Sequence, residues 1–107
     1  MTTLLVLYRR PEGGDEALAT FLRRYETEHL PLVAATPGLR ATRVQHVSQS
    51  LAGDSDVVVV TAMDFDDRAA LDAGLASDAM RQGGRNLREI APGLATFLVL
   101  EDGLPAT

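Results

Sequence analysis

Two histidines, two tyrosines and no cysteine narrow the chemistry open to this chain, and His29 is the best placed of them. Leu18, Leu22, Tyr25 and His29 follow one another at spacings of four, three and four. At roughly 100° per residue these positions fall on one stripe of an α-helix, with Phe21 at its edge. Arg23, Arg24, Thr27 and Glu28 fall elsewhere, as the solvated face of an amphipathic helix. His29 therefore ends a buried stripe, one turn beyond Tyr25. There desolvation favours the neutral imidazole and the helix C-terminus favours the cation, a balance that suits proton transfer. A helix-end histidine packed on the core or bonded to a carbonyl would occupy the same place, and both readings stay open.

The other candidates are weaker. Tyr25 could bond the imidazole or a ligand oxygen, or be a core aromatic. Tyr8 ends an apolar run and either lines a cavity or caps the core. Asp64 ends a valine-rich run; if it points inward it is a buried carboxylate that needs a partner, for which His29 or Arg43 could serve. Arg43 and His46 lie in a mixed segment and read as exposed or as contacts to a second copy. No metal site is expected, because His29 and His46 fall on different elements with no helical His-x-x-x-His and no cysteine pair. Gly13-Gly14 and Gly83-Gly84 lack the G-x-G-x-x-G pattern after a strand, so no nucleotide cofactor is expected either.

The elements that must position these residues alternate along the chain. Residues 3–8 form a continuous apolar run, a strand expected to be buried on both faces. Asp15 is the expected N-cap of a helix over residues 16–30. Pro31 is expected to stop or kink that helix at about Leu30, before one short turn and the Pro37-Gly38 break. Residues 39–49 read as a less protected strand and 50–55 as a hairpin turn. Residues 56–65, with four consecutive valines, form the strongest strand. Asp66-Asp67 caps a helix through Leu71, and Ser77 caps a second helical piece that ends at Pro92-Gly93. Gly83-Gly84 inside it is expected to break or loosen the helix, each glycine costing about 1 kcal/mol relative to alanine. Residues 94–101 are the last strand and 102–107 a tail.

The order βαββαβ is the ferredoxin-like α+β plan, one domain over residues 1–107 with a four-stranded antiparallel sheet. Three strands read as apolar on both faces, yet two helices cover only one face of such a sheet. The other face would leave a large apolar patch in water, so a homodimer packed sheet to sheet is expected.

Tyr25-x-x-x-His29-Leu30-Pro31-Leu32, followed by Pro37-Gly38-Leu39 leading into a strand, resembles the signature of the EthD family, named for ethyl tert-butyl ether degradation. That family belongs to the dimeric α/β-barrel superfamily. The resemblance spans nearly the whole chain and implies a cavity between helix layer and sheet in each subunit. It implies His29 as the catalytic residue; Tyr25, Tyr8, Phe21 and Asp64 are taken beside it as candidate ligand contacts. The ligand class it implies is a small hydrophobic or aromatic metabolite. Superfamily relatives catalyse lactone isomerisation, polyketide cyclisation or dehydration, and cofactor-free oxygenation; an accessory, ligand-carrying role is the alternative. Haem is disfavoured, since the haem-degrading relatives use Trp and Asn in their pocket, and this chain has no Trp and only Asn86.

Composition agrees with a folded, acidic protein. Hydrophobic residues make up 46% of 107, with a mean hydropathy of +0.02, which argues against disorder. A net charge of −5 and a pI near 4.8 argue against nucleic acid as a partner. No segment approaches the roughly 20 apolar residues of a membrane span, and a cytoplasmic location is the expectation.

Overall fold

The structure, a computed structural model, describes residues 1–104; the last part of the expected tail, residues 105–107, lies outside them. Strand β1 (Thr2–Arg9) leads into helix α1 (Gly14–Arg24), a π-helical turn (Tyr25–His29) and helix α2 (Leu30–Ala34). Strands β2 (Ala41–His46) and β3 (Val57–Phe65) follow, then helices α3 (Arg68–Leu75) and α4 (Asp78–Ile90), and strand β4 (Ala95–Glu101). The strands are ordered β2-β3-β1-β4, and every neighbouring pair is antiparallel. This is the ferredoxin-like α+β arrangement expected from the sequence.

Period-two alternation decides which face is buried. Leu4, Val6 and Tyr8 of β1, with Val59, Thr61, Met63 and Phe65 of β3, face the helices and are buried. Their neighbours Leu5, Leu7, Val58, Val60 and Ala62 point to the opposite face and are only half-buried. The expectation that these strands are buried on both faces therefore does not hold within one chain. Helices cover one side alone, and β4, at the sheet edge, leaves Phe97, Leu98, Val99 and Leu100 exposed. No helix among the described residues is long and apolar enough to cross a membrane.

The first helical segment departs most from expectation. The chain does not stop at Leu30 but stays helical from Gly14 to Ala34, interrupted only by the π turn. There the Leu30 N–H bonds to the Tyr25 carbonyl, five residues back. Pro31 explains the widening: its ring would collide with the carbonyl four residues earlier in a regular helix, and the looser turn gives that carbonyl room. The turn also realigns the buried row. In an α-helix every fourth residue drifts about 40° around the axis, and the wide turn takes that drift back. Phe21, Tyr25, His29 and Val33 consequently all face the core, while Leu22, expected on the stripe, is exposed.

Three smaller corrections follow from local geometry. Asp15 is not the N-cap; Gly13, at φ 107°, opens α1, and Asp15 lies in its first turn. Asp67 and Ser77 do cap α3 and α4, accepting from the backbone N–H groups of Ala70 and Met80. The mixed strand is shorter than expected, six residues, and a long loop around Gly53 replaces a tight hairpin. Gly83-Gly84 does not break α4, which runs unbroken over 13 residues. Its apolar face, Gly83, Leu87 and Ile90, packs on the core, and tertiary burial outweighs the glycine penalty.

Candidate functional site

Between helices and sheet lies a cavity of about 140 Å³. Its floor is Leu4, Val6 and Tyr8 of β1 with Met63 of β3. His29 and Val33 form one wall; Met80, Gly83, Gly84 and Leu87 of α4 form the other. Leu75 and Phe97, both substantially exposed, stand at the mouth. The glycines that looked like helix breakers thus act as spacers. A Cβ on Gly83 would lie 3.5 Å from the His29 Cε1, in the space the cavity uses. A larger groove, about 460 Å³, runs along α1 between Pro11 and Glu89, but it is an open surface depression.

Tyr8, Phe21 and Tyr25 form one cluster behind the imidazole. The Tyr25 ring stacks on His29 at 5.2 Å and 29°, and meets Tyr8 edge-on at 4.9 Å. Phe21 lies 5.6 Å from Tyr25. Of the sequence candidates, only His29 and Tyr8 line the cavity. Tyr25 is core, its hydroxyl 2.5 Å from the Thr61 Oγ1, and Phe21 backs Tyr25 and edges the outer groove. Asp64 is on the wrong side of the sheet. The alternation that buries Met63 and Phe65 turns Asp64 to the opposite face, where its carboxylate accepts from the Thr3 hydroxyl at 2.6 Å. Neither His29 nor Arg43 pairs with it, and Arg43 and His46 are exposed on β2.

The sequence reading missed the group that holds the imidazole. Arg24 makes paired hydrogen bonds to Glu28, at 2.7 and 3.0 Å. Those bonds hold the Glu28 carboxyl below its ordinary value, so it stays ionised and only accepts. Asn86 must then turn its amide nitrogen to Glu28 (3.0 Å), which aims its carbonyl at the His29 Nδ1, 3.2 Å away. A carbonyl cannot donate, so Nδ1 carries the proton and the lone pair of neutral His29 sits on Nε2. Among the described residues Nε2 has no hydrogen-bond partner, yet it is not sealed off: Thr36 Oγ1 is the one fully buried side-chain polar atom there without a partner. Nε2 therefore keeps some accessible surface. The i,i+4 spacing of Arg24 and Glu28 was readable in the sequence; Asn86, 57 residues from His29, was not.

Burial lowers the His29 pKa, and the Asn86 bond offsets this only in part. Burial, reinforced by the neighbouring Tyr25 phenol, pushes Tyr8 far above its ordinary value. Near neutral pH the cavity thus presents an unprotonated imidazole nitrogen and a protonated phenol, surrounded by aliphatic carbon. Among the described residues no group of three or more His, Asp or Glu side chains is disposed to hold a metal ion.

An EthD family protein from Bacillus halodurans C-125 has the same fold, with a TM-score of 0.84 and 28% identity over 96% of this chain and 99% of that one. A dimeric ferredoxin-like protein of unknown function from Bacteroides fragilis NCTC 9343 superposes at a TM-score of 0.69, with 15% identity over 94% and 95% of the two chains. SnoaB, a cofactor-independent oxygenase from Streptomyces nogalater, superposes at 0.61 with 15% identity over 97% and 94%. At such identities the last two speak for the fold alone. No curated protein matches this chain in sequence. The EthD domain, as a family model, matches residues 15–98, which takes in the helix that carries His29, the whole of α4 and most of the sheet; the chain belongs to the EthD family.

Proposed function

We propose that this protein binds a small hydrophobic or aromatic metabolite in the 140 Å³ cavity and that His29 moves a proton on it without a cofactor. The observation that carries this is a neutral imidazole, held at Nδ1 by Asn86, in the lining of an apolar cavity. In the proposed step Nε2 takes a proton from an acidic C–H or O–H of the ligand. The imidazolium keeps its Nδ1–H on the Asn86 carbonyl, and Nε2 returns the proton to another ligand atom. Isomerisation, cyclisation with dehydration, and oxygenation with dioxygen as co-substrate all begin this way; the cofactor-independent oxygenase among the structural neighbours is consistent with the last. One observation favours a ligand-carrying role instead. Among the described residues His29 is the one cavity-lining group able to exchange a proton, since Tyr8 stays protonated.

The same proposal includes a homodimer in the cytoplasm. Leu98 and Leu100, 41% and 44% exposed, extend the half-buried Leu5, Val58 and Val60 into an apolar outer face that monomers rarely tolerate. The dimeric ferredoxin-like neighbour supports the pairing. Native mass spectrometry of the protein with a panel of small aromatic and lactone compounds tests both parts. The expected result is a dimer that gains a ligand, with turnover lost in His29→Ala. Loss of affinity without any turnover to lose would favour the carrier; a monomer would remove the sheet-to-sheet pairing.

A further inference from the structure

We infer that the cavity takes an uncharged, single-ring compound with one hydroxyl group, of about the size of phenol, which donates that hydroxyl to the His29 Nε2. The inference rests on the cavity being the ligand site, and it narrows what that site admits.

Size sets the first limit. An apolar cavity of about 150 Å³ accommodates one benzene ring, and this one measures about 140 Å³. At Gly83 it cannot enlarge without moving backbone, because that residue brings α4 against the imidazole with no side chain between them. The two methionines, Met63 and Met80, face the space with flexible thioether chains that adapt to a flat ring. A fused second ring would have to project through the mouth between Leu75 and Phe97.

Charge sets the second. No Arg, Asp or Glu lines the cavity, and the chain has no Lys. A carboxylate or phosphate entering it would lose its water without gaining a fixed cation, a cost that buried anions rarely bear. Arg88, whose guanidinium lies beside Gly84, is exposed to solvent and not part of the lining, and Arg24 is engaged by Glu28 and Glu89.

Polarity sets the third. Asn86 and Glu28 force the proton onto Nδ1, so the nitrogen left to the ligand accepts and does not donate. A ligand with only an acceptor, such as an ether or ketone, leaves Nε2 unmatched in an apolar space; a hydroxyl satisfies it. The same contact puts the ligand's most acidic proton on the candidate base.

Calorimetric titration of the intact protein with phenol, toluene, benzoate and 1-naphthol tests each limit separately. Phenol is expected to bind roughly three- to tenfold more tightly than toluene, the worth of one hydrogen bond. In His29→Phe the preference for phenol over toluene is expected to vanish, whatever the added ring volume does to both. Benzoate and 1-naphthol are expected to bind far more weakly than phenol. Benzoate binding as well as phenol overturns the charge limit, and 1-naphthol doing so overturns the size limit. Equal binding of phenol and toluene to the unsubstituted protein overturns the hydroxyl selection while leaving a ligand cavity in place. No binding of any of the four defeats the ligand-site reading itself.

Discussion

Replacing Asn86 by leucine tests the hydrogen-bond chain on which the proposed chemistry depends. The Asn86 carbonyl lies 3.2 Å from the His29 Nδ1, on a ring that is 4% exposed. Asn86→Leu leaves that N–H with no acceptor at a site where water reaches poorly. An unsatisfied buried donor costs about 1–3 kcal/mol. The contact is only partly buried, so the lower half of that range applies. For a domain of this size each kcal/mol moves the melting temperature by about 4–8 °C. The other end of the chain matters less, because Glu28 keeps both Arg24 bonds. Two further changes distinguish this from simple loss of packing. The imidazole, no longer held, populates both neutral tautomers, and its pKa falls further, since the Asn86 bond is what raises it. Long-range proton–nitrogen NMR reads both, and with only two histidines the spectrum is readily assigned. Asn86→Asp retains an acceptor and should retain the Nδ1–H tautomer while raising the pKa. An unsubstituted protein whose His29 carries its proton on Nε2 would refute the reasoning outright, as would an Asn86→Leu variant with unchanged His29 signals and melting.

Three other outcomes follow from the same geometry. Tyr25→Phe removes the 2.5 Å partner of the Thr61 hydroxyl, which is 1% exposed, and should cost about 1–3 kcal/mol in denaturant unfolding. Gly83→Ala places a methyl 3.5 Å from the His29 Cε1, an ordinary contact. It should raise the melting temperature, alanine being worth up to about 1 kcal/mol over glycine in a helix, while weakening ligand binding in the smaller cavity. His29, buried with its pKa below the ordinary 6.5, binds its proton more readily in the unfolded chain. Its contribution is therefore complete above about pH 6.5 and is lost as pH falls from there through the lowered folded value. His29→Gln should flatten that part of the stability–pH curve, read by urea titration at several pH values.

Much of the fold was readable from local pattern. Continuous apolar runs and helical spacing marked the βαββαβ order, and Asp67 and Ser77 announced their helices because an N-cap is a contact between residues three apart. Tyr25, His29, Pro31 and the Pro37-Gly38-Leu39 turn carried the family resemblance, and the stripe spacing placed His29 at the buried end of its helix before any contact was known. Locating the π turn took tertiary packing, since the sequence marks the conflict at Pro31 but not whether the chain breaks or widens to resolve it. The side on which Asp64 lies stayed open because a strand's facing depends on register: one step places a side chain in the core, the next on the far side of the sheet. Gly83-Gly84 reads as a break to local propensity and becomes a spacer only when α4 lies against the imidazole. Asn86 is the clearest case. The residue that sets which nitrogen of His29 holds the proton comes from another helix, 57 positions along, and no local spacing records a contact made only when the two helices pack.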